Sequence, residues 1–286
     1  MAIAFEHIVI VMLENATRNA VLRNGYMNKL RQQGVFLKNS YGLTHSSQPN
    51  YIAMIGGDTF GFWDDSHGWV QWIYDPGGPP IKSIVDLLEA RNFTWKAYAE
   101  DLEPGDVVNS STTIPPDHGL FVRKHVPFLS YPTIVNSPTR AALIVNAQEN
   151  FEKDLANHNL PNFSYYIPNL VHDGHSLPGN PGVRLDPDNG QNIEDIALFL
   201  QGFLGPTPLD KFPSETLIVL TFDEAYPYHD DYNIYTLLIG DMLPPHTTRM
   251  EPYNHYSLLR SIEANFHLGS LGRNDASAAP YWFLTP

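Results

Sequence analysis

Six short stretches of the 286-residue chain carry side chains that can do chemistry together. Glu14 and Asn15 end the apolar run Ile8 to Leu13, and the adjacent carboxylates Asp223 and Glu224 end the run Leu217 to Phe222. Oxygen donors delivered by separate buried segments suit a hard divalent cation, the simplest remedy for charge at a buried edge. Ser47 stands in Thr44-His45-Ser46-Ser47-Gln48-Pro49-Asn50-Tyr51, where Pro-Asn opens a helix and puts the Ser47 hydroxyl near its N-terminus. Backbone N–H groups and the helix dipole stabilise an alkoxide or a bound phosphate there. The turn His172-Asp173-Gly174-His175 adds imidazoles and a further carboxylate, and His125 and His255 fall in loop or helix-start positions. The chain has no cysteine, so any covalent chemistry belongs to Ser, Thr, His, Asp or Glu.

Strands must bring these residues together. Ile8 to Leu13, Val35 to Tyr41, Phe163 to Ile167 and Leu217 to Phe222 read as buried strands, and each is followed by the ligand-type residues just named. Further strands are predicted at Thr94 to Ala99 and Tyr235 to Ile239. Helical spacing predicts helices around Val21 to Gln33, at Ile84 to Leu88, and over Ala141 to Leu155, Ile193 to Phe203 and Tyr256 to Phe266. Helices alternating with apolar strands predict a single α/β domain over residues 1–286, with a mainly parallel central sheet covered by helices on both faces. Ligands of such sheets bind beyond the carboxyl ends of the strands, where these residues fall.

Gly56 to Pro80, Asp101 to Pro138 and a stretch around Pro178 to Asp188 read as long loops, of the kind that usually carries function. The aromatic residues Phe60, Phe62, Trp63, Trp69, Trp72 and Tyr74 in the first loop either wall a substrate pocket or form a satellite hydrophobic cluster beneath it. Tyr228-His229-Asp230-Asp231-Tyr232 has no apolar strand directly before it and reads as a solvated turn.

With 17 Lys and Arg against 31 Asp and Glu, the net charge is −14, which argues against a nucleic-acid partner. An anionic ligand is also repelled at long range, unless its site is locally neutralised by a metal and histidines. No apolar run approaches the roughly 18 residues of a membrane span. Met1 to His7 lacks the basic start and apolar core of a signal peptide, which predicts an intracellular protein or a secreted one without its leader.

Leu13-Glu14-Asn15, Thr44 to Tyr51, Arg123-Lys124-His125-Val126-Pro127, Asp173-Gly174-His175, Thr221-Phe222-Asp223-Glu224 and Tyr253-Asn254-His255-Tyr256 occur in a characteristic order and spacing. It resembles the phosphoesterase family of acid phosphatases and phospholipases C, and most closely the fungal acid phosphatases, from His7 to about Arg273. That family belongs to the alkaline phosphatase superfamily, whose nucleophile lies in a Thr/Ser-x-Pro-Asn segment similar to Ser47-Gln48-Pro49-Asn50. Ser46 stands where the fungal enzymes usually carry Pro and adds a second hydroxyl beside Ser47.

The resemblance implies that Glu14, Asn15, Asp223 and Glu224 hold a divalent metal, which can be Zn, Mn, Mg or Ca. It implies that Ser47 touches this metal and acts as nucleophile, through a phosphoserine that water then hydrolyses. His45, His125, His175 and His255 would surround the phosphoryl oxygens or bind a second ion. One of them would protonate the leaving alkoxide, favouring activity below the imidazole pKa of roughly 6.5. Asp173 would be a ligand or orient a histidine, and His172 reads as structural. The implied activity is metal-dependent hydrolysis of a small phosphate monoester, with a phospholipase C or other phosphodiesterase as the alternative and a noncatalytic phosphate- or metal-binding relative as the third reading.

Overall fold

The computed structural model describes residues 3–107, 116–177, 180–184, 191–226 and 232–284. The chain begins with β1 (His7–Leu13), two short helices α1 (Arg18–Arg23) and α2 (Gly25–Leu30), β2 (Val35–Tyr41) and α3 (Ser47–Gly56). It continues through α4 (Val70–Tyr74), α5 (Ile84–Glu89), β3 (Trp95–Ala99), α6 (Pro132–Val135), α7 (Pro138–Ala141), β4 (Ile144–Asn146), α8 (Ala147–Ala156) and β5 (Phe163–Ile167). A hairpin of β6 (Ser176–Leu177) and β7 (Asn180–Arg184) leads to α9 (Gln191–Leu204), β8 (Thr216–Phe222) and β9 (Asn233–Ile239). The chain closes with β10 (Thr247–Arg249), β11 (Tyr253–Asn254), α10 (His255–Asn265) and α11 (Asn274–Ser277).

The main sheet has the order β10-β2-β9-β8-β1-β5-β3-β4, and β11 also pairs with β2. β1 is parallel to both its neighbours, β5 and β8, and sits at the centre. Interior on both faces, it must be apolar along its whole length, which is why Ile8 to Leu13 shows no polar alternation. Ile8, Ile10 and Met12 enter one core with Tyr51, Ile52, Val85, Leu88, Leu259 and Ile262 of α3, α5 and α10. Val9, Val11 and Leu13 enter the other with Val21, Phe151, Ile196 and Leu200 of α1, α8 and α9. Each such side chain contributes about 1.5–3 kcal/mol on burial, so the strand that delivers Glu14 is among the best anchored in the fold.

The α/β architecture is the predicted one, with differences of detail. β9 contains the strand expected at 235–239, but it begins at Asn233 and runs antiparallel to β8 and β2. The helix expected over 21–33 is divided, because the Asn24 side chain accepts hydrogen bonds from Tyr26 N and Met27 N and starts α2 afresh. Residues 141–155 are not one helix: Ile144 and Val145 join the parallel sheet beside β3, and Asn146 then caps α8 by accepting from Glu149 N. The first two long loops hold the short helices α4 and α6. Of the third, residues 180–184 form β7, and residues 178–179 and 185–188, like Tyr228 to Asp231 of the expected turn, lie outside the described residues.

The loop aromatics divide. Phe60, Phe62 and Trp69 are buried in the core against α3, whereas Trp63, Trp72 and Tyr74 are 77%, 48% and 56% exposed. Among the described residues, no helix is long and apolar enough to cross a membrane.

Candidate active site

Three strand ends are stitched together at the carboxyl edge of the sheet. Asp223 N donates to Leu13 O at 3.0 Å and Glu14 N donates to Asp173 O at 2.8 Å. Asn15 takes the left-handed conformation (φ +67°), and its N–H donates to Asp223 Oδ1 at 3.1 Å. Gly42, at the end of β2, packs so closely here that a Cβ would lie 2.9 Å from the Asp223 carbonyl oxygen. The outcome is a buried group of three carboxylates, Glu14, Asp223 and Glu224, each offering an oxygen within 4.8 Å of the others.

Ser47 is the first residue of α3 and is fully buried. Its hydroxyl donates to Glu14 Oε1 at 2.5 Å and lies 3.2 Å from Glu224 Oε1. The loop before it is fixed by Asn50, whose side chain accepts from Leu43 N at 2.8 Å and donates to Thr44 O and Ser46 O at 2.9 Å each. Asn50 therefore holds its own motif together, the reason a carboxamide is needed three residues after the hydroxyl.

The histidines arrange around this group unequally. His125 is buried with Nε2 3.2 Å from Glu14 Oε1 and Nδ1 3.1 Å from Asp173 Oδ2, and it stacks on Tyr51 with ring centroids 4.8 Å apart. Burial pushes His125 down, but the Glu14 charge and the Asp173 contact raise it to about 9. His45 Nδ1 meets Glu224 Oε2, and its ring stacks on Tyr232. His175 stands at the rim, 17% exposed, with Nε2 4.0 Å from Glu14 Oε1. His255 is buried at the start of α10 with Nε2 2.6 Å from Asp223 O; a carbonyl only accepts, so this nitrogen carries the proton. Burial lowers His255 to about 4, which keeps the ring neutral. His172 lies apart, paired with Glu100 at 2.6 Å and stacked on Phe199.

Asp173, Asp223, Glu224 and Glu14 are all fully buried. Burial, then the neighbouring Glu14 and Glu224 charges, pushes Asp223 well above the usual carboxylate range. Burial likewise raises Asp173, to about 6. Burial pushes Glu14 up too, but His125, with Lys124 and His175 beyond it, holds it well below that range. Among the described residues, none donates a hydrogen bond to the buried Glu14 Oε2 or Asp223 Oδ2. Carboxylate oxygens left without donors in a cluster of like charge are what a hard cation satisfies, so the residues present fit a divalent metal. Among the ligands implied by sequence, Glu14, Ser47, Asp223 and Glu224 meet directly, and Asn15 reaches the group through its backbone N–H.

Three contributors are not among the site residues singled out from the sequence. Tyr51 stacks under His125; Lys124 Nζ pairs with Asp65 Oδ2 at 2.9 Å; and Asp65 Oδ1 accepts the Gln48 N–H at 3.0 Å. Lys124 adjoins His125 in a motif that marked the histidine alone, and Asp65 lies in a loop with several other acids.

A family model described as the Phosphoesterase family matches residues 22–269. A probable acid phosphatase of Kluyveromyces lactis is 33% identical over 283 residues, covering 96% of this chain and 61% of that protein, so the chain spans about three fifths of this relative's length. A phosphatidylinositol-3-phosphatase of Mycobacterium tuberculosis is 27% identical over 279 residues, covering 94% of this chain and 79% of the relative. Among solved structures, a protein in the alkaline phosphatase superfamily from Vibrio parahaemolyticus superposes with a TM-score of 0.54 at 14% identity, over 94% of this chain and 69% of that one, a likeness of fold. The ordered motifs, the sheet that gathers them and a match across most of the sequence agree, and the chain belongs to the phosphoesterase family.

Proposed function

We propose that the protein is an acid phosphatase that hydrolyses small phosphate monoesters through a phosphoserine on Ser47. The observation that carries this reading is the Ser47 hydroxyl, buried at the N-terminus of α3 and directed at Glu14 and Glu224 at 2.5 and 3.2 Å. The names of the curated relatives, a probable acid phosphatase and a phosphatidylinositol-3-phosphatase, support a phosphoric ester as substrate.

Glu14, Asp223 and Glu224, with Asn15 beside them, would hold a divalent cation, which when bound supplies Lewis acidity and offsets the charge of both the carboxylates and the phosphoryl group. The chain's own residues do the rest. Ser47 Oγ attacks phosphorus in line with the leaving oxygen, and its proton departs toward the carboxylates it already faces. The Ser47 N–H at the start of α3 and the His125 imidazole beside Glu14 would stabilise the negative equatorial oxygens. His175, at the exposed rim, is placed to protonate the leaving alkoxide. Water then displaces Ser47 from phosphorus, releasing phosphate and regenerating the hydroxyl. His255, neutral and bonded to the Asp223 carbonyl, positions that carboxylate and carries no charge to the phosphoryl group.

The test compares p-nitrophenyl phosphate with bis(p-nitrophenyl) phosphate from acidic to mildly alkaline pH, on protein stripped by chelator and resupplied with single divalent ions. Monoester preference with ion-dependent rescue is the expected outcome. Diester preference would replace this reading with a phosphodiesterase, and no turnover of either substrate would leave a noncatalytic binding protein.

A further inference from the structure

The loop between α3 and α4 takes no part in the steps above, yet one of its side chains reaches into the site twice. Asp65 Oδ1 accepts the Gln48 N–H at 3.0 Å, and Asp65 Oδ2 accepts from Lys124 Nζ at 2.9 Å. Gln48 directly follows Ser47 in the first turn of α3. That turn receives no side-chain bond from its N-cap residue, Ser46, and Pro49 has no N–H, so Asp65 supplies from another loop the acceptor that an N-cap normally gives. Lys124 is 11% exposed, adjoins His125 and stands in the field of Glu14 and Asp223.

We propose that Asp65 is a positioning residue for phosphoryl transfer: one carboxylate fixes the turn that carries Ser47 and tethers the Lys124 ammonium away from the metal-binding carboxylates. The proposal rests on the reading of Ser47 as nucleophile.

A lysine ammonium is a compact charge on a flexible stem and moves to the strongest available anion. Without Asp65, the anions beside Lys124 are Glu14 and Asp223, the same groups that are to hold the divalent cation. The ammonium would then compete with that cation. The Lys124 charge also offsets that of Asp65, so the carboxylate steadies the turn without cancelling the favourable field at Ser47. One pairing thus keeps two cationic elements, a helix terminus and an ammonium, at fixed places around the nucleophile.

The test uses the full chain, with Asp65→Ala, Asp65→Asn and the double variant Asp65→Ala/Lys124→Ala, each verified as folded by circular dichroism. Steady-state kinetics on p-nitrophenyl phosphate are paired with thermal-shift titrations against Mn²⁺ and Zn²⁺ after chelation. Asp65→Ala is expected to lower kcat by about 10–100-fold with KM within about 3-fold, the pattern of a misplaced reacting group. Its thermal shift is expected to need about 5-fold more ion, because the freed lysine competes at a site whose occupancy sets the stabilisation. Asp65→Asn keeps an oxygen for the Gln48 N–H and is expected to recover most of kcat while retaining the weaker ion response; the double variant is expected to restore that response. If Asp65→Ala does not fold, Asp65→Asn alone decides through its ion response. Wild-type kcat and ion response in Asp65→Ala, or an unchanged ion response in Asp65→Asn, would overturn the proposal. A Ser47→Ala variant run alongside separates the two readings: if it turns over normally the nucleophile assignment fails and this inference with it, whereas an inactive Ser47→Ala beside a normal Asp65→Ala overturns the inference alone.

Discussion

Ser47 and Ser46 are adjacent hydroxyls, and only burial and partners distinguish them. Ser47 faces two carboxylates from the base of α3, so Ser47→Ala is expected to abolish phosphate release while circular dichroism and melting temperature stay close to wild type. Normal turnover by that variant, with Ser46 intact, would move the nucleophile to Ser46 or away from this segment. Asp223→Asn removes one charge from the triad but keeps its shape. Its expected effect is weaker metal retention, read as a smaller rise in melting temperature on adding ion to chelated protein, since stabilisation by a ligand follows occupancy. An undiminished rise would remove Asp223 from the ligand set. These residues were legible because each follows an apolar run, and the end of a buried strand is a place where a polar residue needs a reason. Asp65 was not legible, and Lys124 stood in the motif around His125 without being singled out: the two meet across 59 positions of sequence, and neither belongs to a periodic pattern.

At the scale of elements, hydrophobic periodicity located the interior strands because their burial on both faces leaves no alternative reading of Ile8 to Leu13 or Leu217 to Phe222. It failed at edges and breaks. β4 is three residues long at the sheet margin, too short to interrupt an apparent helical stripe, and Asn24 divides a helix through a cap that periodicity does not register. The loop aromatics were ambiguous because composition does not separate a pocket wall from a core. The structure assigns Trp69 to the core, where it is 1% exposed with the Arg123 guanidinium 5.2 Å from its ring. Trp69→Ala is therefore expected to destabilise the fold by about 3–5 kcal/mol, by the cavity it leaves and the cation it uncovers. Trp63→Ala, at an exposed position of the same loop, should shift stability by less than about 0.5 kcal/mol. Chemical denaturation of the two variants checks the contrast, and equal losses would refute the division of the loop into core and surface.

For the molecule as a whole, the charge of −14 makes its stability a function of pH, and one buried pair away from the candidate site contributes to that dependence. Glu263 of α10 is fully buried beside Asp275 of α11. Glu263 Oε1 and Asp275 Oδ2 both accept from the Leu271 N–H, at 3.2 and 2.7 Å, tying the C-terminal segment to the core. Burial, then the neighbouring Asp275, pushes Glu263 up from the usual 4.5 to about 8. Below about pH 4.5 the group is protonated in both folded and unfolded chains and gives no pH dependence. Between about 4.5 and 8 the unfolded chain ionises first, so it binds fewer protons than the folded one and stability falls as pH rises; above about 8 the loss is complete. At roughly 1.4 kcal/mol per unit the span is worth at most about 5 kcal/mol. The contribution of this pair is thus largest at mildly acidic pH, for a reason located away from the nucleophile. Glu263→Gln keeps the shape and the oxygen acceptor but cannot ionise, so its melting temperature should match wild type near pH 5 and exceed it at pH 8.5. Parallel melting curves for the two proteins across that interval would assign the pH dependence to other carboxylates.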